Sequence, residues 1–445
     1  MFLYKAKHMR VFLAVVYGIS FLVNIYVMET QRREFIQGSV LEDYKIDFFN
    51  EEEKADVRER HEKVNETGNL KTSILIEMVR ETFYMIFFYS ILFLNIVPSL
   101  WRFTTKMFLR METTNEEPGP KQENSQACEE ESPLENLSFR RIFTCSIVFL
   151  FLLNLPRVVI SLCMLLFDFV LCGFFSGTAL WNSIIQNALS VLEYTSSIIS
   201  LYFCRKKTLV VQFLVLSLLL CVEDYVMLYI GVSYNYIFQE KSPLQENSLK
   251  QKIKKLCEKV GFSVENVFLI SLDVPNFSFG GIFGRNMIFL WEKMEKYFSE
   301  NEILSILAHE LGHWNYMHVY MFFLPKLVLG VVFASFLLLQ AKKKVFSKMF
   351  GIKNMPMFVE FCLGLVLYRR ATDIILENLS KIFSCLAEFQ ADSFGARNTS
   401  PADFVSAFTR LSFLSPRSCF YNRAYVFLRE THPIMADRIR RVLGK

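Results

Sequence analysis

Residues 299–339 read SENEILSILAHELGHWNYMHVYMFFLPKLVLGVVFASFLLL. Two demands that rarely coexist meet in this stretch. From position 319 to 339 the chain is apolar enough to enter a bilayer. Just ahead of that run stand His309, Glu310 and His313, among mostly apolar neighbours. Ionisable groups are expensive to keep in such a place, so their presence points to chemistry. Ser299, with Glu302 three residues on, is a capping box that opens a helix. On that helix His309 and His313 share a face about 6 Å apart, so two imidazoles can grip one zinc ion. Glu310 stands beside the metal's open position, where a carboxylate can take a proton from water.

A catalytic zinc takes a third protein ligand and leaves a fourth position free. The best candidate is Glu388 in CLAEFQADSFGAR, residues 385–397, at the end of a long apolar run of helical length. Asp392 lies one turn later on the same face and can accept from the free ring nitrogen of a ligating histidine. His318, one turn beyond His313, fits either a supporting role behind the ligands or a satisfied helix-end histidine. Four of the chain's six histidines, His309, His313, His318 and His432, fall in the segments around this site.

Composition widens the reading from site to class. Hydrophobic residues make up 52% of 445, Phe alone occurs 46 times, and only 21% are charged. Mean hydropathy is +0.28. A soluble core does not need that much apolar material, whereas several bilayer-crossing helices do. Net charge is +5 and spread along the chain, without a basic stripe interleaved with exposed aromatics, which excludes nucleic acid as a partner. The ten cysteines are scattered without a CxxC pair, mostly in apolar runs, and read as small core residues.

Runs of crossing length occur at 11–27, 83–101, 142–171, 181–203, 209–230, 319–339 and 357–386. The first follows Lys5, Lys7 and Arg10 as a signal peptide would, but it lacks a small-residue cleavage site and reads as an uncleaved span. The third is too long for one crossing and contains Pro156, so it reads as a kinked span followed by a connector. The seventh carries Arg369, Arg370, Asp373 and Glu377, which suits a helix lining a wet interior.

The predicted fold is therefore mainly α: a polytopic membrane protein of about seven transmembrane helices with a small soluble α+β domain. Residues 1–232 hold five spans, a charged first loop (29–80, helical in part around EEEKADVRERHEKV) and an acidic, disordered loop (111–138). Residues 233–318 form the soluble part, with a helix over SLKQKIKKLCEKVGF. There VENVFLISL and NMIFLW read as strands, joined by DVPNFSFGGIFGR, whose glycines suit a hairpin. Residues 319–386 hold the last two spans, and 387–445 the third-ligand helix end and a soluble C-terminal part. Asn65, Asn136 and Asn398 sit in N-x-[ST] sequons; seven spans place Asn65 and Asn136 on opposite sides, so at most one of those two meets glycosylation.

Taken together, AHELGHWNYMH, AEFQAD and THPIMADRI resemble the type I CaaX prenyl proteases, zinc endopeptidases of the endoplasmic reticulum and inner nuclear membranes. The resemblance implies seven helices enclosing a hollow chamber and one Zn2+ per chain held by His309, His313 and Glu388. It makes Glu310 the general base and acid. It implies that Asn276, on an edge strand with Phe277 and Phe279, pairs with the substrate backbone. His432 and Arg438 would hold the substrate carbonyl or terminal carboxylate and steady the oxyanion. The substrate would be a prenylated CaaX protein or peptide reached from the cytosolic side, with membrane lipid as the surroundings. The family's N-A-Y-F-x-G is NFSFGG here, and the loop lysines and arginines at 205–207 and 342–344 fall on the side the family makes lumenal, against the positive-inside rule. Two rival readings share much of this sequence. One is a quality-control zinc protease that cuts unprenylated membrane clients. The other is an inactive client-binding scaffold.

Overall fold

The computed structural model describes residues 6–37, 69–109, 139–172, 192, 194–219, 222 and 241–444, apart from 273–274, 283–284, 353–354 and 415–422. The acidic loop, the EEEKADVRERHEKV stretch, Asn65 and Asn136, and parts of the fourth and fifth predicted spans lie outside the described residues. The fold is mainly helical with one small sheet. In chain order the helices used below are α1 (Ala6–Gln37), α2 (Asn69–Phe93), α3 (Ile96–Leu109), α4 (Phe139–Cys172), α5 (Leu209–Leu219) and α6 (Ser248–Val260). They continue with α7 (Glu300–Asn315), α8 (His318–Lys342), α9 (Val345–Phe350), α10 (Met357–Asn398), α11 (Pro401–Leu414), α12 (Arg423–Arg429) and α13 (Met435–Val442).

The chain divides into two compact units, one from Met1–Val23, Ile76–Glu223 and Leu329–Ile374, the other from Asn24–Leu75, Asp224–Val328 and Ile375–Lys445. The first unit packs Leu13, Phe149, Ile198, Leu337, Phe361 and Leu363 into one buried cluster. Tyr17 stacks on Phe88 at 3.5 Å between ring centroids, and its hydroxyl donates to the Leu367 carbonyl at 2.9 Å. The outward faces are apolar as well: Val15, Ile19 and Leu22 on α1, and Phe151 and Val159 on α4, are exposed. Water penalises such a surface and lipid tails do not.

By length and composition, Met9–Arg33, Arg140–Cys163 and Glu300–Lys342 suffice to cross a bilayer, and the α2–α3 pair adds a fourth crossing if its two arms count as one. Two expectations change here. The run at 83–101 is broken, with α2 and α3 bent by 69°. Pro98 explains the position of the break. It lacks the N–H that would bond the Leu94 carbonyl, and its ring clashes there, so the helix stops and restarts with proline in a first turn. The run at 142–171, by contrast, has no connector: α4 continues unbroken to Cys172 and carries Pro156 within it.

The second unit holds a sheet of four strands, β1 (Lys241–Pro243), β2 (Val267–Ile270), β3 (Ser278–Ile282) and β4 (Arg285–Trp291), in the order β1-β2-β4-β3. The predicted strands at 264–272 and 286–291 are present but are not hairpin partners. Val267 pairs with Ile288 and Ile270 with Trp291 in a parallel ladder. The hairpin forms instead between the connector and β4, from Ser278↔Phe289 to Ile282↔Arg285. Alternation decides this. Both β2 and β4 are nearly continuous apolar runs, buried as parallel neighbours are, while the Gly-bearing β3 is left at the edge. Asn276 lies two residues before β3 rather than within it, which corrects its placement on the edge strand.

Beneath the sheet, Ile253, Leu256, Ile288, Leu290, Ile303, Leu307, Phe404 and Phe408 form the core against which α7 is seated. The predicted capping box is complete. Ser299 Oγ accepts from the Glu302 backbone at 3.3 Å, and Glu302 Oε2 accepts from the Ser299 backbone at 2.7 Å. The second Glu302 oxygen accepts from Ser406 at 2.6 Å and faces Arg410, which ties the start of α7 to α11. Ser299→Ala is expected to cost about 1 kcal/mol, read as a lower unfolding midpoint in detergent with zinc content unchanged. Among the described cysteines, Cys145, Cys257 and Cys362 are buried, Cys204 and Cys385 half-buried and Cys163 exposed.

Candidate metal centre

Two helices supply the site. α7 presents His309 and His313 one turn apart, and α10 crosses it closely enough to bring Glu388 opposite. Gly312 permits the approach: a Cβ there would lie 2.9 Å from the Ala391 Cα and 3.2 Å from the Phe394 Cβ. Because the first contact is backbone, α10 would have to move. Gly312→Ala is therefore expected to destabilise by about 1–3 kcal/mol and to weaken metal binding, since Glu388 is one turn from Ala391. Gly330→Ala on α8, where a Cβ meets nothing within 4 Å, is the control and should leave zinc content unchanged.

His309 Nε2 and His313 Nε2 are 3.1 Å apart. Glu388 Oε2 is 3.5 Å from His309 Nε2, and Glu388 Oε1 is 3.4 Å from His313 Nε2. Zinc bonds of about 2.0–2.1 Å at tetrahedral angles put ligand atoms about 3.3 Å apart, and one ligand atom from each of the three side chains lies within 4.8 Å of the others, so the trio can hold one ion. Glu388 Oε2 is buried and makes no well-formed hydrogen bond, its charge being met by Arg438 Nη2 at 3.1 Å.

Behind the ligands lie two different supports. His309 Nδ1 is 3.0 Å from Asp392 Oδ1, out of line for a good hydrogen bond but close enough for an ionic contact. Asp392 is in turn held by Arg438, whose Nε and Nη2 donate to its two oxygens at 2.9 and 2.6 Å. Arg438 Nη2 also reaches Glu388 Oε2 at 3.1 Å, and the guanidinium lies over Phe408 at 4.7 Å. Burial alone would raise the pKa of both carboxyls. Arg438 and the neighbouring imidazoles outweigh it, holding Asp392 below and Glu388 well below the usual carboxylate range. Both are thus ionised. On the other side, His313 Nδ1 is 2.9 Å from His318 Nδ1, and His318 Nε2 is 3.0 Å from Gln390 Oε1.

The remaining predicted residues are placed as follows. Glu310 is buried, 7% exposed, on the ligand-bearing helix. His432 keeps 63% of its side chain exposed while its Nε2 stands 3.4 Å from Glu388 Oε1 and its Nδ1 meets Thr431 at 3.0 Å. Arg438 is buried, donates to Asp392 and reaches Glu388. Phe277 packs edge-on against Phe298 at 5.9 Å, and Phe279 and Phe277 both rest on the core of this unit. The sequence reading did not single out Gly312, Gln390 or the pairing of Arg438 with Asp392. Gly312 carried the one available signal, a glycine inside a helix on the ligand face.

The family model of Peptidase family M48 matches residues 243–445. The matched segment includes every candidate site residue, from Asn276 to Arg438. Similar curated proteins include the CAAX prenyl protease 1 homolog of Oryza sativa subsp. japonica, 27% identical over 212 residues, which are 46% of this chain and 49% of that protein. The CAAX prenyl protease 1 of Saccharomyces cerevisiae is 24% identical over 245 residues, 51% of this chain and 54% of that protein. The chain spans about half the length of the curated relatives it matches. The crystal structure of S. mikatae Ste24p superposes with a TM-score of 0.70 at 17% identity, over 97% of this chain and 98% of that one. The overall fold is thus that of the S. mikatae Ste24p structure.

Proposed function

We propose that the chain is a zinc-dependent membrane endopeptidase that removes the C-terminal tripeptide from prenylated CaaX proteins. The observation that carries this reading is the meeting of His309, His313 and Glu388 within reach of one ion, in the segment that matches Peptidase family M48. The substrate class is supported by the naming of its relatives as CAAX prenyl proteases.

Zinc in this site supplies a Lewis acid that acidifies water and polarises a carbonyl. Glu310, next in sequence to His309, takes the proton of the attacking water and returns it to the leaving amine. His432, exposed beside Glu388, donates to the oxygen that gains charge at the scissile carbon. Arg438 acts at one remove: it keeps Asp392 and Glu388 ionised and aligned. The outer edge of β3 offers backbone groups to an extended peptide, with Asn276 two residues before it and Phe279 on it. The apolar faces of the helices suit an enzyme that meets its lipidated substrate in the membrane of the endoplasmic reticulum, with the peptide entering from the cytosolic side.

The test is purified protein on a farnesylated CaaX peptide beside its unprenylated twin, with and without chelator. Cleavage of the farnesylated peptide alone, lost with chelator and restored by zinc, is the expected result. Equal cleavage of both peptides would favour a quality-control protease, and no cleavage of either by zinc-loaded protein a scaffold.

A further inference from the structure

The two imidazole ligands are braced differently. His309 backs onto a carboxylate that is itself neutralised by Arg438. His313 backs onto a second imidazole and then a neutral amide, with spacings of 2.9 and 3.0 Å. Hydrogen-bond arithmetic fixes every proton along this second chain. If His313 binds metal through Nε2, the atom that faces His309 and Glu388, its Nδ1 must carry the hydrogen. That N–H can donate only to an Nδ1 of His318 that has a lone pair. His318 must then carry its own hydrogen on Nε2, and it donates to Gln390 Oε1. The far end of the chain therefore determines the near end.

The backbone is bent to bring the two rings together. α7 ends at Asn315, Met317 takes a left-handed φ of 52°, and α8 begins at His318. A non-glycine residue in that region carries a cost that surrounding structure must sustain. Tyr316 stacks on the His318 ring at 5.7 Å, and His318 is buried. Gln390, by contrast, is exposed, in the wall of a concavity lined by Phe389, Arg397 and Arg441. Its amide oxygen lies 3.0 Å from Nε2 of His318, 72 residues away in sequence.

We infer that Gln390 is a positioning residue for the metal: acting through His318, its amide oxygen holds His313 in the one tautomer that can bind zinc. This deepens the zinc-protease reading and rests on it. An uncharged relay serves because Glu310, Glu388 and Asp392 already place three carboxylates at the site; a further acid behind His313 would favour a doubly protonated His318, whose Nδ1–H would oppose that of His313.

Zinc affinity of the full-length protein in detergent, measured by competition with a chromophoric chelator, tests the inference without reference to turnover. Gln390→Met keeps the size and removes the acceptor. It is expected to weaken zinc binding about 10–100-fold, the usual effect of losing such a partner, while the unfolding midpoint of zinc-free protein stays unchanged because the residue is exposed. His318→Gln offers His313 an amide oxygen directly and bypasses the relay. In that background Gln390→Met should change affinity by less than about threefold, a non-additivity that a simple packing role would not produce. An unchanged affinity in Gln390→Met, or the same loss in both backgrounds, overturns the inference. A wild-type protein that binds no zinc would overturn the metal reading beneath it.

Discussion

Glu310→Gln is expected to retain the full zinc complement and lose about 10²–10⁴ in kcat/KM, the range for removing a general acid–base group. Its position leads to both halves of this expectation. Glu310 lies on α7 between the two histidine ligands in sequence but is not one of the three groups whose atoms meet, so the ligand set survives the change. The substitution is nearly isosteric and keeps a polar group at a buried position, so the core around Ile306 and Leu311 is not reshaped. What disappears is the ability to take a proton. Zinc analysis and peptide cleavage on the same preparation check both halves. Full activity with zinc bound would remove Glu310 from the mechanism, and loss of zinc would make it structural.

The second large effect is expected at Arg438. The side chain is buried, donates twice to Asp392 and touches Glu388. Arg438→Met leaves two carboxylates buried side by side without a counter-charge, and breaking such a pair costs about 3–5 kcal/mol. The single variant should therefore unfold at markedly lower temperature or fail to accumulate. Arg438→Met with Asp392→Leu removes both partners of the main pair and should recover most of that stability, because well-packed apolar replacements are often neutral. The double variant should still bind zinc about 10–100-fold more weakly, since His309 has lost the carboxylate behind it. A single variant as stable as wild type would mean that the buried network does not hold the site together.

The parts of this site that were legible in the sequence are those that a helix fixes by itself. His309 and His313 four residues apart, Ser299 and Glu302 three apart, and Glu388 and Asp392 four apart each state a geometry within one turn. What the sequence left open depends on partners far along the chain. The parallel pairing of β2 with β4 requires β3 to fold back first, and two apolar runs look alike whether they are hairpin or parallel neighbours. Gln390 meets His318 only because Met317 turns the chain and α10 crosses α7, neither of which shows as a local pattern. Arg438 shows the same limit. Its pairing with Asp392 joins residues 46 apart in sequence, which no local pattern shows. Where they are described, the apolar runs are helical, but their breaks are not legible from hydropathy: Pro98 ends one, while Pro156 is carried within another.

The most direct test is an anomalous difference map collected at the zinc edge from crystals of the purified protein. One peak is expected, at about 2.0–2.2 Å from His309 Nε2, His313 Nε2 and an oxygen of Glu388. A peak bonded to other side chains, or to the two histidines with Glu388 beyond bonding distance, would contradict the account.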